Sequence, residues 1–286
     1  MRSLAFATHS NGYLSLLRSS AERFGFELTI VGWGEPWRGM TTKMVRYRDE
    51  LSRGRSDEVV MLVDAYDVFF AAPAAETAAN FKEVGLPYLF SSQRYFPSSR
   101  FMRQLSDRVM GLDGDGRFGS RVDAEPYGRP CMGALMGQAG ALVDLFSELI
   151  AIEQRRHAGD DQALLNLYLE EHPEQAHVDR ECRIFQSLWR TRGSFPFPVT
   201  FDPGDDDAEV RINSSGRLEN RFTQTHPQVI HGPMALNMNP LLEALGYDLD
   251  GLQRVSNGAY LRYGGISHLT PFFERAGAAL KRIAGG

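Results

Sequence analysis

Val59-Val60-Met61-Leu62-Val63-Asp64-Ala65-Tyr66-Asp67 is the stretch that decides the fold. A run that is apolar at every position, rich in β-branched residues and ended by an acid reads as a strand buried on both faces. Such strands lie inside sheets covered by helices. Carboxylates just past the C-terminal end of one stand where open α/β sheets place their ligands. On a continuing strand, residues three apart point to opposite faces. A turn after Val63 is therefore required to bring Asp64 and Asp67 onto one ion. Two hard oxygen ligands with open positions suit Mg²⁺ or Mn²⁺ completed by phosphate oxygens. The plainer alternative is one capping and one solvated aspartate.

The flanking sequence alternates in kind. Ser3–Thr8 reads as a strand and Gly12–Phe24 as an amphipathic helix, with Leu14, Leu17, Ala21 and Phe24 on one side. Glu27–Val31 follows as a strand, then a Gly- and Trp-rich loop through Met40. Thr42–Leu51 reads as a helix with Thr41 or Thr42 as N-cap. Ala72–Val84 is the next predicted helix and Tyr88–Ser91 the next strand. This rhythm predicts a mostly parallel sheet with helices on both faces. Gln93–Pro130 reads as a long loop with one short helix near Phe101–Met110. Cys131–Gly137 restarts a strand, Ala139–Glu153 is helical, and a helix follows Gly159-Asp160-Asp161 through Leu169. Gly193–Arg221, broken by Gly and Pro, is an expected excursion from the sheet. Gln228–His231 closes it as a short strand, and a helix at Pro271–Ile283 lies in a packed tail.

The 286 residues, 43% hydrophobic and 23% charged, are those of an ordinary globular protein, long enough to bury a full core without staples. With 31 basic against 36 acidic residues the net charge is −5, which argues against general nucleic-acid binding. No apolar run approaches the roughly 18 residues of a membrane span. Thr8-His9-Ser10-Asn11 interrupts any signal-peptide core, so the expected compartment is cytoplasmic. Cys131 and Cys182 are too few for a disulfide framework or a cysteine-rich zinc site, and are expected as reduced, buried thiols.

Asp64-Ala65-Tyr66-Asp67 resembles the Asp-x-x-Asp motif in the glycosyltransferase domain of the procollagen lysyl hydroxylases and related collagen glycosyltransferases. Further markers occur in that family's order: Ala7-Thr8, Gly32-Trp33-Gly34-Glu35-Pro36-Trp37 and Lys43-Met44-Val45-Arg46, then Met132-Gly133-Ala134-Leu135-Met136-Gly137. Asp160-Asp161-Gln162, Cys182-Arg183-Ile184-Phe185-Gln186 and His231-Gly232 follow. The markers span about Ser3–Asn239. The resemblance implies a GT-A glycosyltransferase fold, an α/β architecture with a Rossmann-like mixed sheet and helices on both faces. It also implies a Mn²⁺ ion, with Mg²⁺ as the substitute, and a UDP-sugar donor. On this basis residues 1–240 are expected to form the GT-A domain and 241–286 a C-terminal helical extension packed on it.

Carried over position by position, the resemblance makes Asp64 and Asp67 metal ligands and His231 the third. By itself His231 is equally a strand-end histidine bonded to backbone. Tyr66 takes the place of an aromatic that stacks on uracil, against the plainer reading of a core tyrosine. Thr8 would touch the nucleotide, and Lys43 would bring positive charge near the diphosphate unless it is a solvated helix lysine. Gly133 would allow close approach of the sugar, and Gly232 stands with the donor-binding residues. Asp160 and Asp161 would flank sugar and acceptor as the catalytic acids; as ordinary residues they cap a helix, worth about 0.5–2 kcal/mol. Trp33, Trp37 and Trp189 are packing residues or sugar platforms.

The sequence also departs from the family. Pro233-Met234-Ala235-Leu236-Asn237 follows His231-Gly232 directly, where the relatives have Asn-Gly and a basic residue. One diphosphate contact is then missing, or replaced by Arg94 or Lys43. The expected activity is transfer of glucose or galactose from UDP-glucose or UDP-galactose to a hydroxyl of a glycan or a hydroxylated protein side chain. The alternatives are a non-catalytic UDP-sugar or glycan-binding module and a metal-dependent phosphohydrolase. The latter favours Asp-x-Asp spacing at the strand end, whereas Asp64 and Asp67 are spaced Asp-x-x-Asp.

Overall fold

A computed structural model describes residues 1–93, 127–156, 161–189, 191, 200–233 and 236–249. The helices expected near Phe101–Met110 and Pro271–Ile283, together with Arg94 and Asp160, lie outside the described residues.

Strands β1 (Arg2–Phe6), β2 (Glu27–Val31) and β3 (Val59–Asp64) alternate with helices α1 (Leu14–Phe24) and α2 (Met40–Leu51). Then come β4 (Val68–Phe70), α3 (Ala74–Val84), β5 (Tyr88–Gln93) and β6 (Arg129–Gln138). Two helices, α4 (Ala139–Arg156) and α5 (Asp161–Glu171), precede the short strands β7 (Phe185–Ser187), β8 (Val210–Ile212), β9 (Leu218–Asn220) and β10 (Val229–His231). Helix α6 (Asn239–Ala244) ends the described elements.

The main sheet has five strands in the order β2-β1-β3-β6-β5. β1 is parallel to β2 and β3, whereas β6 runs antiparallel to both β3 and β5. This mixed sheet is consistent with a GT-A type domain. Helices cover both faces because the strands alternate. Leu4 and Phe6 of β1 and Val60 and Leu62 of β3 join Met44, Tyr47 and Leu51 of α2 and the apolar sides of α4 and α5. Ala5, Met61 and Val63 point the other way, onto Leu14, Leu17 and Ala21 of α1 and Phe81 of α3.

Of a second sheet, in the order β4-β10-β7, only β10 was legible in the sequence, as the short strand expected at Gln228–His231; its pairing with β4 and β7 was not. Its strands have three residues each, and Phe69 and Phe70 are both fully buried, so no alternation marks them. β8 and β9 form a separate hairpin within the expected excursion. The N-cap expected at Thr41 or Thr42 is not there. Helix α2 starts two residues earlier, behind Gly39, whose φ of 98° turns the chain in and whose carbonyl accepts the Thr42 N–H at 3.1 Å. Helix α6 crosses the boundary expected at residue 240, and its Leu241 and Leu242 are buried with Phe69 and Ile230.

Cys131 and Cys182 are both buried and free. Among the described residues no helix is long and apolar enough to cross a membrane.

Candidate functional site

Strand β3 carries the site to its place by simple alternation. Val60 and Leu62 face α2, so Asp64, two residues on, faces α2 as well. The chain then bends through Ala65-Tyr66-Asp67 before β4 begins. Four hydrogen bonds hold the bend. The Tyr66 carbonyl accepts the Tyr13 N–H at 2.7 Å, and the Asp67 carbonyl accepts the Gly232 N–H at 2.8 Å. The Tyr66 hydroxyl donates to the His9 carbonyl at 3.0 Å and accepts the Thr8 N–H at 3.2 Å. Gly12, at φ 51°, must lack a side chain here, because a Cβ would stand 2.5 Å from the Tyr66 carbonyl oxygen.

The bend is the turn that the sequence demands. It brings Asp67 onto the side of β10, where His231 pairs across from Val68. Asp64, Asp67 and His231 each offer one ligand atom, and these atoms all lie within 4.8 Å of one another. His231 Nε2 is 3.5 Å from Asp67 Oδ2 and 4.0 Å from Asp64 Oδ2. Asp67 Oδ1 is buried with no hydrogen-bond partner, a costly arrangement for a carboxylate oxygen in a protein of this kind. Two carboxylates and an imidazole converging on one point, with an acceptor oxygen left over, fit a divalent cation. Burial disfavours the charged imidazolium, but Asp67 and Cys131 outweigh it and hold the His231 pKa well above the usual histidine value.

Behind His231, the Nδ1 atom faces Ser187 Oγ at 3.4 Å and Cys131 Sγ at 3.7 Å. β7 is set beside β10 by Asp179, whose carboxylate accepts the backbone N–H groups of Arg183, Ile184 and Phe185 at 3.1, 2.8 and 2.8 Å. Ring orientation by such outer partners is what fixes a ligating histidine. Gly133 lies directly against the ring: a Cβ there would overlap His231 Cε1. The glycine thus makes room for the imidazole from β6, just beyond the Ala134–Val63 pair. Gly133→Ala is expected to cost about 1–3 kcal/mol by overpacking, and, if the cluster holds a divalent cation, to weaken its binding by on the order of 10-fold or more through a displaced ring. Thermal melts and Mn²⁺ titration of the variant check both.

Lys43 is neither solvated nor aimed outward. It sits on the buried stripe of α2 with Met44, Tyr47 and Leu51. Its Nζ lies 2.5 Å from Asp64 Oδ1 and 3.0 Å from Asp161 Oδ2. Burial alone would favour a neutral amine; Asp161 and Asp64 outweigh it and keep the pKa well above the ordinary lysine value. Burial in turn lifts the Asp64 carboxyl to about 6, against the pull of Lys43. Asp161 is in the first turn of α5, and Gln162 beside it ties α5 to β6, accepting the Met132 N–H at 3.2 Å. Asp161 therefore does more than cap a helix, which is the plainer reading of the sequence.

The remaining expected residues gather at one end of the sheet. The Thr8 carbonyl accepts the Gly34 N–H at 2.9 Å, which docks the Gly32-Trp33-Gly34 loop beside Tyr66. Gly232 follows His231, and its Cα faces Met238. Trp37 packs on Phe6, whereas Trp33 is half exposed. Two features escaped the sequence reading. The Lys43 bridge had one available signal, a lysine on an apolar helical stripe. Ser187 behind His231 had none.

A family model described as PLOD GT domain matches residues 1–110. Procollagen-lysine,2-oxoglutarate 5-dioxygenase 1 of Mus musculus is 25% identical over an alignment of 257 residues that covers 83% of this chain and 31% of that protein. The multifunctional procollagen lysine hydroxylase and glycosyltransferase LH3 of Homo sapiens is 26% identical over 258 residues, 81% of this chain and 29% of its own. The chain is similar to the glycosyltransferase domain of the procollagen lysyl hydroxylases. It spans under a third of the length of these relatives, as it does for the procollagen-lysine,2-oxoglutarate 5-dioxygenase of Drosophila melanogaster, at 22% identity and 29% of that protein. The residues matched to the procollagen lysyl hydroxylase family model include Asp64, Asp67 and Lys43.

Proposed function

We propose that this chain is a metal-dependent glycosyltransferase. It moves a hexose, glucose or galactose, from a UDP-sugar to a hydroxyl of a glycan or a hydroxylated protein side chain. The observation that carries this reading is the cluster of Asp64, Asp67 and His231 at the end of β3, with one buried Asp67 oxygen left without a partner. Similarity to the human procollagen lysine hydroxylase and glycosyltransferase LH3 supports it.

In this reading Asp64, Asp67 and His231 hold Mn²⁺ or Mg²⁺. When bound, the ion neutralises charge on the departing diphosphate, a Lewis-acid role. Tyr66, with its hydroxyl anchored to the backbone of Thr8 and His9, presents its ring beside the first strand's end to receive the base. Gly232 holds the Asp67 carbonyl, and Gly133 gives His231 its place. Asp161, with Asp160 before it, supplies negative charge on the sugar and acceptor side. Lys43 ties that side to the metal side through its two carboxylate partners.

The test is a screen of UDP-sugars for Mn²⁺-dependent thermal stabilisation, followed by UDP release from each hit in the presence of hydroxyl acceptors. Stabilisation by UDP-glucose or UDP-galactose with acceptor-dependent UDP release is the expected result. Stabilisation without release across acceptors assigns the chain to the binding-module alternative. No metal-dependent stabilisation by any UDP-sugar overturns the proposal.

A further inference from the structure

The two oxygens of Asp64 are not equivalent. Oδ1 is engaged by Lys43 Nζ at 2.5 Å, while Oδ2 faces His231 Nε2 at 4.0 Å, inside the cluster with Asp67. We infer that Lys43 is a positioning residue that holds Oδ1 out of the cation's reach, so that Asp64 binds through one oxygen and the site prefers Mn²⁺ or Mg²⁺ to Ca²⁺. This rests on the metal reading above and adds a selectivity device to it.

Lys43 is poorly placed to let go. Its side chain is 9% exposed, and the helix stripe that carries it is locked into the core by Met44, Tyr47 and Leu51. Its ammonium has a second partner in Asp161 Oδ2 at 3.0 Å, and a buried ammonium that gives up one of two carboxylates loses much of what offsets its desolvation. The consequence for the cation follows from coordination chemistry. Ca²⁺ takes roughly six to eight oxygens and often draws on both oxygens of a carboxylate, whereas Mg²⁺ and Mn²⁺ settle for octahedral sites built from one atom per group. Withholding the second oxygen of Asp64 removes a ligand from Ca²⁺ and none from Mn²⁺.

The measurement is equilibrium binding of Mn²⁺ and of Ca²⁺ to the full chain without nucleotide, by calorimetry and by Ca²⁺ competition against the Mn²⁺ spin-resonance signal. Wild type is compared with Lys43→Met and Asp161→Asn. Loss of a positive charge raises the affinity for both cations, so the Mn²⁺ to Ca²⁺ ratio is the readout. We expect Lys43→Met to lower that ratio by on the order of tenfold, the scale of supporting-residue effects at metal sites. Asp161→Asn changes the local charge but leaves Lys43 on Asp64, and is expected to leave the ratio unchanged. An unchanged ratio in Lys43→Met overturns the inference, and so does an equal shift in Asp161→Asn, which would trace the effect to the Lys43–Asp161 pair and not to the hold on Asp64. Failure of wild type to bind Mn²⁺ at all overturns the metal reading instead. If Lys43→Met alone does not fold, the double variant Lys43→Met/Asp161→Asn, with one fewer uncompensated carboxylate, carries the same comparison.

Discussion

Asp64→Ala and Asp67→Ala are each expected to abolish Mn²⁺-dependent binding of UDP while leaving a folded protein. The loss should exceed about 100-fold, beyond what a change behind the ligands costs, because a ligand itself is removed. Folding should survive for different reasons at the two positions. The Asp64 side chain keeps 32% of its exposure at a strand end, and its removal leaves Lys43 still paired with Asp161. Asp67 is buried, but its Oδ1 already lacks a partner, so truncation removes a desolvated oxygen along with the contact to His231. Calorimetric titration of UDP with and without Mn²⁺, beside circular dichroism melts, separates binding from folding. Tight, metal-dependent UDP binding retained by both variants would sink the ligand assignment.

The second large effect is expected at the other acid. Asp161→Asn should lower turnover by on the order of 10²-fold or more while Mn²⁺ and UDP still bind. Asparagine still serves the first turn of a helix, so a capping role alone predicts activity near wild type. The pair with Lys43 adds a stability cost that the sequence could not foretell. Removing one partner of a buried ion pair costs up to about 3–5 kcal/mol, and the remaining contact of Lys43 with Asp64 places this case below that ceiling. Rates should therefore be compared at a temperature where both proteins are fully folded. Asp160→Asn is the companion variant, since Asp160 lies outside the described residues. Near-full activity in both variants with a genuine acceptor would remove the pair from catalysis.

The parts of this site that were legible in the sequence are those written in short-range pattern. An unbroken apolar run ending in Asp64 announced a buried strand with an acid at its ligand-bearing end, and the period of two required the bend that the chain makes at Ala65-Tyr66-Asp67. Apart from β4, the helix and strand rhythm of the first 93 residues was legible for the same reason. What brings His231 to Asp67 is different in kind. It depends on the pairing of β10, which was legible as a short strand, with β4 and β7, three-residue strands buried throughout that leave no alternation to read. Family resemblance, not pattern, singled out His231. The fit of Gly133 under the imidazole and the grip of Lys43 on two acids are tertiary facts, and only the apolar company of Lys43 along its helix hinted at the second.

The position of β6 in the main sheet has a consequence for biosynthesis. β6 is later in the chain than β5, yet it lies between β5 and β3. A ribosome that has released everything up to Gln93 has therefore delivered both flanking strands and not the one that joins them. Until Gln138 emerges, β3 and β5 each present an unsatisfied backbone edge, the kind of surface on which growing chains associate wrongly and which chaperones exist to shield. The three residues proposed to hold the cation are divided by the same order of events, with Asp64 and Asp67 made before β6 and His231 after it. On the proposed metal reading, all three meet only once β6, whose Gly133 lies against the His231 ring, is in place, so capture of a cation would report a finished sheet and not a nascent one.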